Sequence, residues 1–103
     1  MEATLAPFSS EARVATAVAQ RYLGQLCKHF QHKLPVTLTE GLGRIAFPAG
    51  ACELEIPPGA ELLVLRVTAD DADTLARLEE VVTRHLERFA FRETIQIRWT
   101  NTA

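Results

Sequence analysis

Between Val18 and Lys33, the apolar residues Ala19, Tyr22, Leu23, Leu26, Cys27 and Phe30 recur at steps of three and four. At about 100° per residue these steps gather on one side of a helix. Gln20, Arg21, Lys28 and Gln31 take the other side. Pro35 follows Leu34, and the residue before a proline is biased away from helical backbone, so the helix ends by Lys33. Upstream, Glu11 to Thr16 alternate weakly and predict a short first strand, with Thr16 placed to cap the helix. Residues 1–9 read as a flexible N-terminal arm ahead of one domain over 10–103. Gly24 costs the helix about 1 kcal/mol relative to alanine. Either a neighbouring element passes close there, or the glycine is simply exposed.

After Pro35 the period changes from helical to alternating. Val36 and Leu38 face one way, Thr37 and Thr39 the other, and the turn Glu40-Gly41-Leu42-Gly43 leads into Arg44–Phe47. Pro48-Ala49-Gly50 turns again, after which Cys52, Leu54 and Ile56 alternate with Glu53 and Glu55. Pro57-Pro58-Gly59 ends that strand. Glu61–Thr68 follows, with Leu63, Leu65 and Val67 on one face and Leu62, Val64 and Arg66 on the other. Asp70 and Asp71 bring capping groups and negative charge to the start of a second helix. Its stripe is Leu75, Leu78, Val82, Leu86 and Phe89, and Asp73–Arg77 and Glu80–Arg84 are spaced for ion pairs on its wet side. A last strand, Glu93–Thr100, carries Ile95, Ile97 and Trp99 on one face.

The order is strand, helix, four strands, helix, strand. Neighbouring strands joined by short turns predict an α+β fold, a two-layer sandwich with a largely antiparallel sheet and two helices on one face. Leu54, Leu65 and Ile97 share the strand phase that points at the helix stripes and are expected to be buried. The opposite face is uncovered, as antiparallel sheets tolerate. It should carry Thr37, Thr39, Arg44, Glu53, Glu55, Arg66, Gln96 and Arg98.

Composition narrows this picture. A net charge of −2 and a pI near 5.9 argue against a nucleic-acid partner. No apolar run approaches the ~20 residues of a membrane-spanning helix. The N-terminus lacks the basic and apolar regions of a secretory signal. Cys27 and Cys52 sit singly, with no CxxC pair for zinc or thiol exchange. These features predict a cytoplasmic protein with reduced thiols and no cofactor.

Three histidines have metal or acid–base potential. His29 and His32 lie about 60° apart around the first helix, so both can reach one ion, with His85 on the second helix as a third ligand. The plainer expectation is that His29 and His85 pack at the edges of the helix stripes while His32 faces solvent. Arg44, Arg66 and Arg98 on the uncovered face either pair with Glu53 and Glu55 or line a surface for an acidic ligand or partner. Asp70, Asp71 and Asp73 are read as caps and dipole partners. No GxSxG, HExxH, P-loop or GxGxxG pattern is present, so no catalytic residue is assigned.

Arg21–Lys33 (RYLGQLCKHFQHK), Gly43–Glu55 (GRIAFPAGACELE) and Leu65–Glu93, with its HLERFAFRE end, together resemble the small bacterial proteins of domain of unknown function 2218. The resemblance covers nearly all of the chain beyond its first ten residues. It brings no catalytic residues. Similar domains occur beside or fused to siderophore-interacting flavin reductases, so the resemblance implies an accessory role near iron handling, with such a reductase as partner. The reading is therefore a small, non-enzymatic binding or accessory domain. The alternative is a metal-dependent protein using His29, His32 and His85. Weak homodimerisation is also expected, through the uncovered face or through an edge strand bearing Leu62 and Val64.

Overall fold

The computed structural model describes residues 8–102 of the chain. Its elements are β1 (Phe8–Ala15), α1 (Ala19–Phe30), β2 (Val36–Thr39), β3 (Leu42–Phe47), β4 (Gly50–Glu55), β5 (Leu62–Ala69), α2 (Ala72–Phe89) and β6 (Thr100–Asn101). They form an α+β fold with a six-stranded antiparallel sheet ordered β2-β3-β4-β5-β1-β6 and two helices. β1 takes in Phe8 and Ser9, which the sequence pattern left in the arm; the remainder of that arm lies outside the described residues. No described helix is long and apolar enough to cross a membrane.

The core lies between the sheet and the helices. From α1 it takes Ala19, Tyr22, Leu23, Leu26 and Cys27, and from α2 Leu75, Leu78, Val82 and Leu86, all buried as the two stripes require. The sheet contributes Ala12, Val14, Ile45, Cys52, Leu54, Leu63, Leu65 and Val67. Alternation along each strand puts these on one face, since successive side chains point to opposite sides. Asp71 caps α2, its Oδ1 accepting from the Thr74 N–H at 2.7 Å. That bond holds the Asp71 carboxyl below its ordinary pKa.

Several expectations need correction. Thr16 does not cap α1 from the helix side: Val18 is the N-cap, and its own N–H donates to Thr16 Oγ1 at 3.2 Å. The strand expected over Glu93–Thr100 is reduced to Thr100–Asn101, paired with Ser10 and Glu11. Ile95, Ile97 and Trp99 still alternate inward, but only partly buried, so Ile97 is not the core residue expected. Trp99 is fixed by its Nε1–H, which donates to Thr83 Oγ1 on α2 at 2.9 Å. Finally, β5 is no edge strand, and Val64 is buried at 1% exposure. Of the two helix ion pairs expected, Glu80–Arg84 closes at 2.8 Å, and Asp73–Arg77 does not appear among those of the described residues.

Close approach to α1 comes at Gly43 rather than Gly24. A Cβ on Gly24 would meet nothing within 4 Å, whereas one on Gly43 would stand 2.7 Å from Cys27 Sγ. The sequence places Gly43 in a turn; the structure places it inside β3, beneath the helix. Cys27 and Cys52 are both free and buried, and burial raises the pKa of each thiol.

Candidate functional site

The sheet register lines up one row of side chains across all six strands of the uncovered face. Thr37 opposes Arg44, Arg44 opposes Glu53, and Glu53 opposes Arg66. Arg66 in turn opposes Glu11, which opposes Thr100. The charges along the row therefore alternate in sign: Arg44, Glu53, Arg66, Glu11. These residues share the face because each sits one position from a buried core residue in its own strand.

The ion pairs follow the row and its neighbour. Arg66 donates to Glu11 at 3.1 Å and to Glu55 at 3.0 Å, Arg13 donates to Glu11 at 3.0 Å, and Arg44 stands 3.6 Å from Glu53. Hydrogen bonds from Arg13 and Arg66 hold the Glu11 carboxyl below its ordinary pKa, against a smaller opposing effect of burial. The same bonds to Glu55 and Glu11 raise Arg66 further. A groove of about 310 Å³ runs along this part of the face, lined by Thr37, Thr39, Leu42, Arg44, Glu53, Glu55 and Arg66 among others. Leu42, 53% exposed, gives it an apolar wall.

The arginines named from sequence are thus split. Arg44 and Arg66 belong to this groove and are each matched with glutamate, as the plainer expectation held. Arg98 lies apart, in a second groove with Glu11, Arg13, Thr100 and Thr102. Sequence reasoning missed Glu11 and Arg13, although their alternation with the buried Ala12 and Val14 already put them on this face. It could not see that β1 lies beside β5.

At the other layer, His29 and His85 meet at the seam between the helices, ring centroids 4.6 Å apart. Phe30 lies 5.0 Å from His29 and 4.9 Å from His85, and Phe89 lies 6.0 Å from His29. His85 Nδ1 is 2.7 Å from the Val81 carbonyl. A carbonyl only accepts, so the Nδ1 proton is fixed there and Nε2 is left as the free nitrogen. His29 is exposed overall, yet the rings shield one side of it, and its pKa is lowered first by desolvation and then by His85, Arg88, His32 and Lys33. Arg88 and Lys33 are permanent cations among the groups that lower it, and they also work against a bound metal cation. His32 is exposed, and no cluster of three or more metal-ligating side chains occurs among the described residues.

Glu93 has a role the sequence did not suggest. Its Oε2 accepts from the Thr16 hydroxyl at 2.9 Å and from the Tyr22 hydroxyl, tying the segment after α2 to the start of α1. Burial, then Glu93, raises the Tyr22 pKa, so the phenol stays a donor.

The family described as uncharacterised protein conserved in bacteria (DUF2218) matches residues 11–100. No curated protein matches the chain. Among solved structures, the NMR structure of PA4090 from Pseudomonas aeruginosa is similar, with 39% identity and a TM-score of 0.75. The match covers 90% of this chain and 95% of that one. With both helices, the charged row and strands β2 to β5 inside the matched span, the chain belongs to the DUF2218 family of bacterial proteins.

Proposed function

We propose that this chain is a small, non-enzymatic binding or accessory domain that works through its uncovered sheet face. The supporting observation is the alternating row Arg44–Glu53–Arg66–Glu11, laid across the face beside a groove of about 310 Å³. A charge pattern this regular, on the face the helices leave open, gives orientation and specificity to a docking protein more than raw affinity. Its ionisable groups are held against opposite charges, which suits recognition better than proton transfer. In this reading the setting is iron handling, which the family resemblance implies, the compartment is the cytoplasm, which the single cysteines favour, and a siderophore-interacting reductase is the first partner to test.

The experiment is titration of such a reductase into the labelled protein, beside the variants Leu42→Asp and Arg44→Glu. Binding that both variants weaken at unchanged thermal stability supports the reading. Binding that neither variant alters, or that the helix-layer change His32→Glu abolishes instead, contradicts it. The competing reading, a metal-dependent protein using His29, His32 and His85, draws on the 4.6 Å approach of two imidazoles. It requires stoichiometric zinc binding that disappears in His29→Gln.

A further inference from the structure

We infer that the uncovered face binds a second copy of this chain, sheet against sheet. The proposed twofold axis lies between the two sheets, parallel to the strands, at the boundary of β4 and β5. The inference rests on the reading of this face as the working surface and names one occupant for it.

Charge and symmetry together define the pairing. A row that reads plus, minus, plus, minus becomes its own complement when reversed. Rotation about the stated axis reverses the lateral order while keeping position along the strands. Arg44 then faces Glu11 of the second copy, and Glu53 faces Arg66 of the second copy. The same two contacts recur by symmetry, as an isologous interface requires. Rotation about an axis along the row would instead set each charge against itself. An axis through β4 would set Glu53 against Glu53.

The β4–β5 boundary is also the centre of the six-strand order β2-β3-β4-β5-β1-β6, so the two sheets overlap fully. The flanking rows tolerate the arrangement. On one side lie the small residues Ala46, Ala51, Thr68 and Ser9, which let the sheets approach the ~10 Å of stacked sheets. On the other lie Leu42, Glu55, Val64 and Arg13; Leu42 comes opposite Arg13 and Glu55 opposite Val64, so no like charges meet. The side chains of Arg44 and Glu53 are 54% and 56% exposed and that of Arg66 is 43% exposed, while Glu11, 21% exposed and already bonded to Arg13 and Arg66, is the least available of the four. Such a charged, wet contact forms a weak dimer, because desolvating ions offsets much of their attraction. It also weakens with salt, since screening sets in within about 8 Å at physiological ionic strength.

The test is sedimentation equilibrium at low ionic strength on the wild type, Glu53→Arg, Arg66→Glu and an equimolar mixture of the two variants, each first verified as folded by circular dichroism. Each variant sets like charges together twice per dimer, so its self-association should fall by about tenfold or more. In the mixture every introduced charge meets its opposite, so association between the two variants should return to near the wild-type level. A mixture that stays monomeric overturns the inference, as does a wild type that is monomeric throughout. Variants that associate as well as the wild type also overturn it, placing any dimer on another surface such as the free edge of β2. In each of these cases, reductase binding lost in Arg44→Glu would leave the earlier reading standing, and reductase binding unaffected by Arg44→Glu would remove that reading independently.

Discussion

Arg66 and Glu11 stand directly opposite each other across the β5–β1 boundary, joined at 3.1 Å, although 55 residues of chain separate them. Arg66→Met removes this bond and the one to Glu55. Both partners are partly exposed, so the expected loss is small, about 1 kcal/mol or less in urea melts. The sharper readout is the Glu11 carboxyl. Its pKa should rise toward the ordinary value but stay below it, because Arg13 is the larger of its two guanidinium partners. An NMR titration in which Glu11 does not move would show that the pair is not formed in solution.

Two glycines should respond in opposite senses. At Gly24 a methyl group meets nothing, so Gly24→Ala should stabilise by up to about 1 kcal/mol through helix propensity. At Gly43 the same methyl would lie 2.7 Å from Cys27 Sγ, so Gly43→Ala should destabilise by about 1–3 kcal/mol as an overpacked core does. Equal effects at the two positions would mean that α1 does not sit over β3 as described.

Ser10 is fully buried on the helix-facing side of β1, and its Oγ has no hydrogen-bond partner among the described residues. A buried hydroxyl without a partner costs about 1–3 kcal/mol. Ser10→Ala should therefore raise the unfolding free energy by roughly 1 kcal/mol, and a loss of stability would reveal a partner for that hydroxyl.

His29 carries a pH dependence whose sign is fixed. Its pKa is lower folded than unfolded, so the unfolded chain binds more protons in that range. Stability should be unaffected by this residue well above pH ~6.5 and should fall as the pH drops below it. His29→Gln should flatten the melting temperature between about pH 7 and pH 5. Glu11 and Asp71, both lowered, act in a separate window. Their contribution is present above their ordinary pKa values and is lost as the pH falls below about 4.

The helices were legible because their burial patterns are local. The stripe from Ala19 to Cys27, and that from Leu75 to Leu86, state both the helix and the face it buries. The hairpins around Gly41 and Ala49 were legible for the same reason, since turn residues sit between alternating runs. Pairing across long sequence separation left no comparable mark. Nothing near Leu62 or Val64 says that β1 flanks β5, so an interior strand reads as an edge. The segment Ile95–Trp99 shows a second limit: alternation reports which side is buried, but not whether a hydrogen-bonding neighbour is within reach. The charged face was half legible. Arg44, Glu53 and Arg66 follow from strand phase alone, while their order in a single row needs the register of every pair.

The central claim is that the uncovered face is where this domain meets other proteins. It is tested most directly by amide chemical shifts followed over a protein concentration series at low salt. The shifts that move should belong to Thr37, Arg44, Glu53, Arg66 and Glu11 and their strand neighbours, and added salt should reverse them. Shifts confined to α1, α2 and the His29–His85 seam, with the sheet row unmoved, would contradict it.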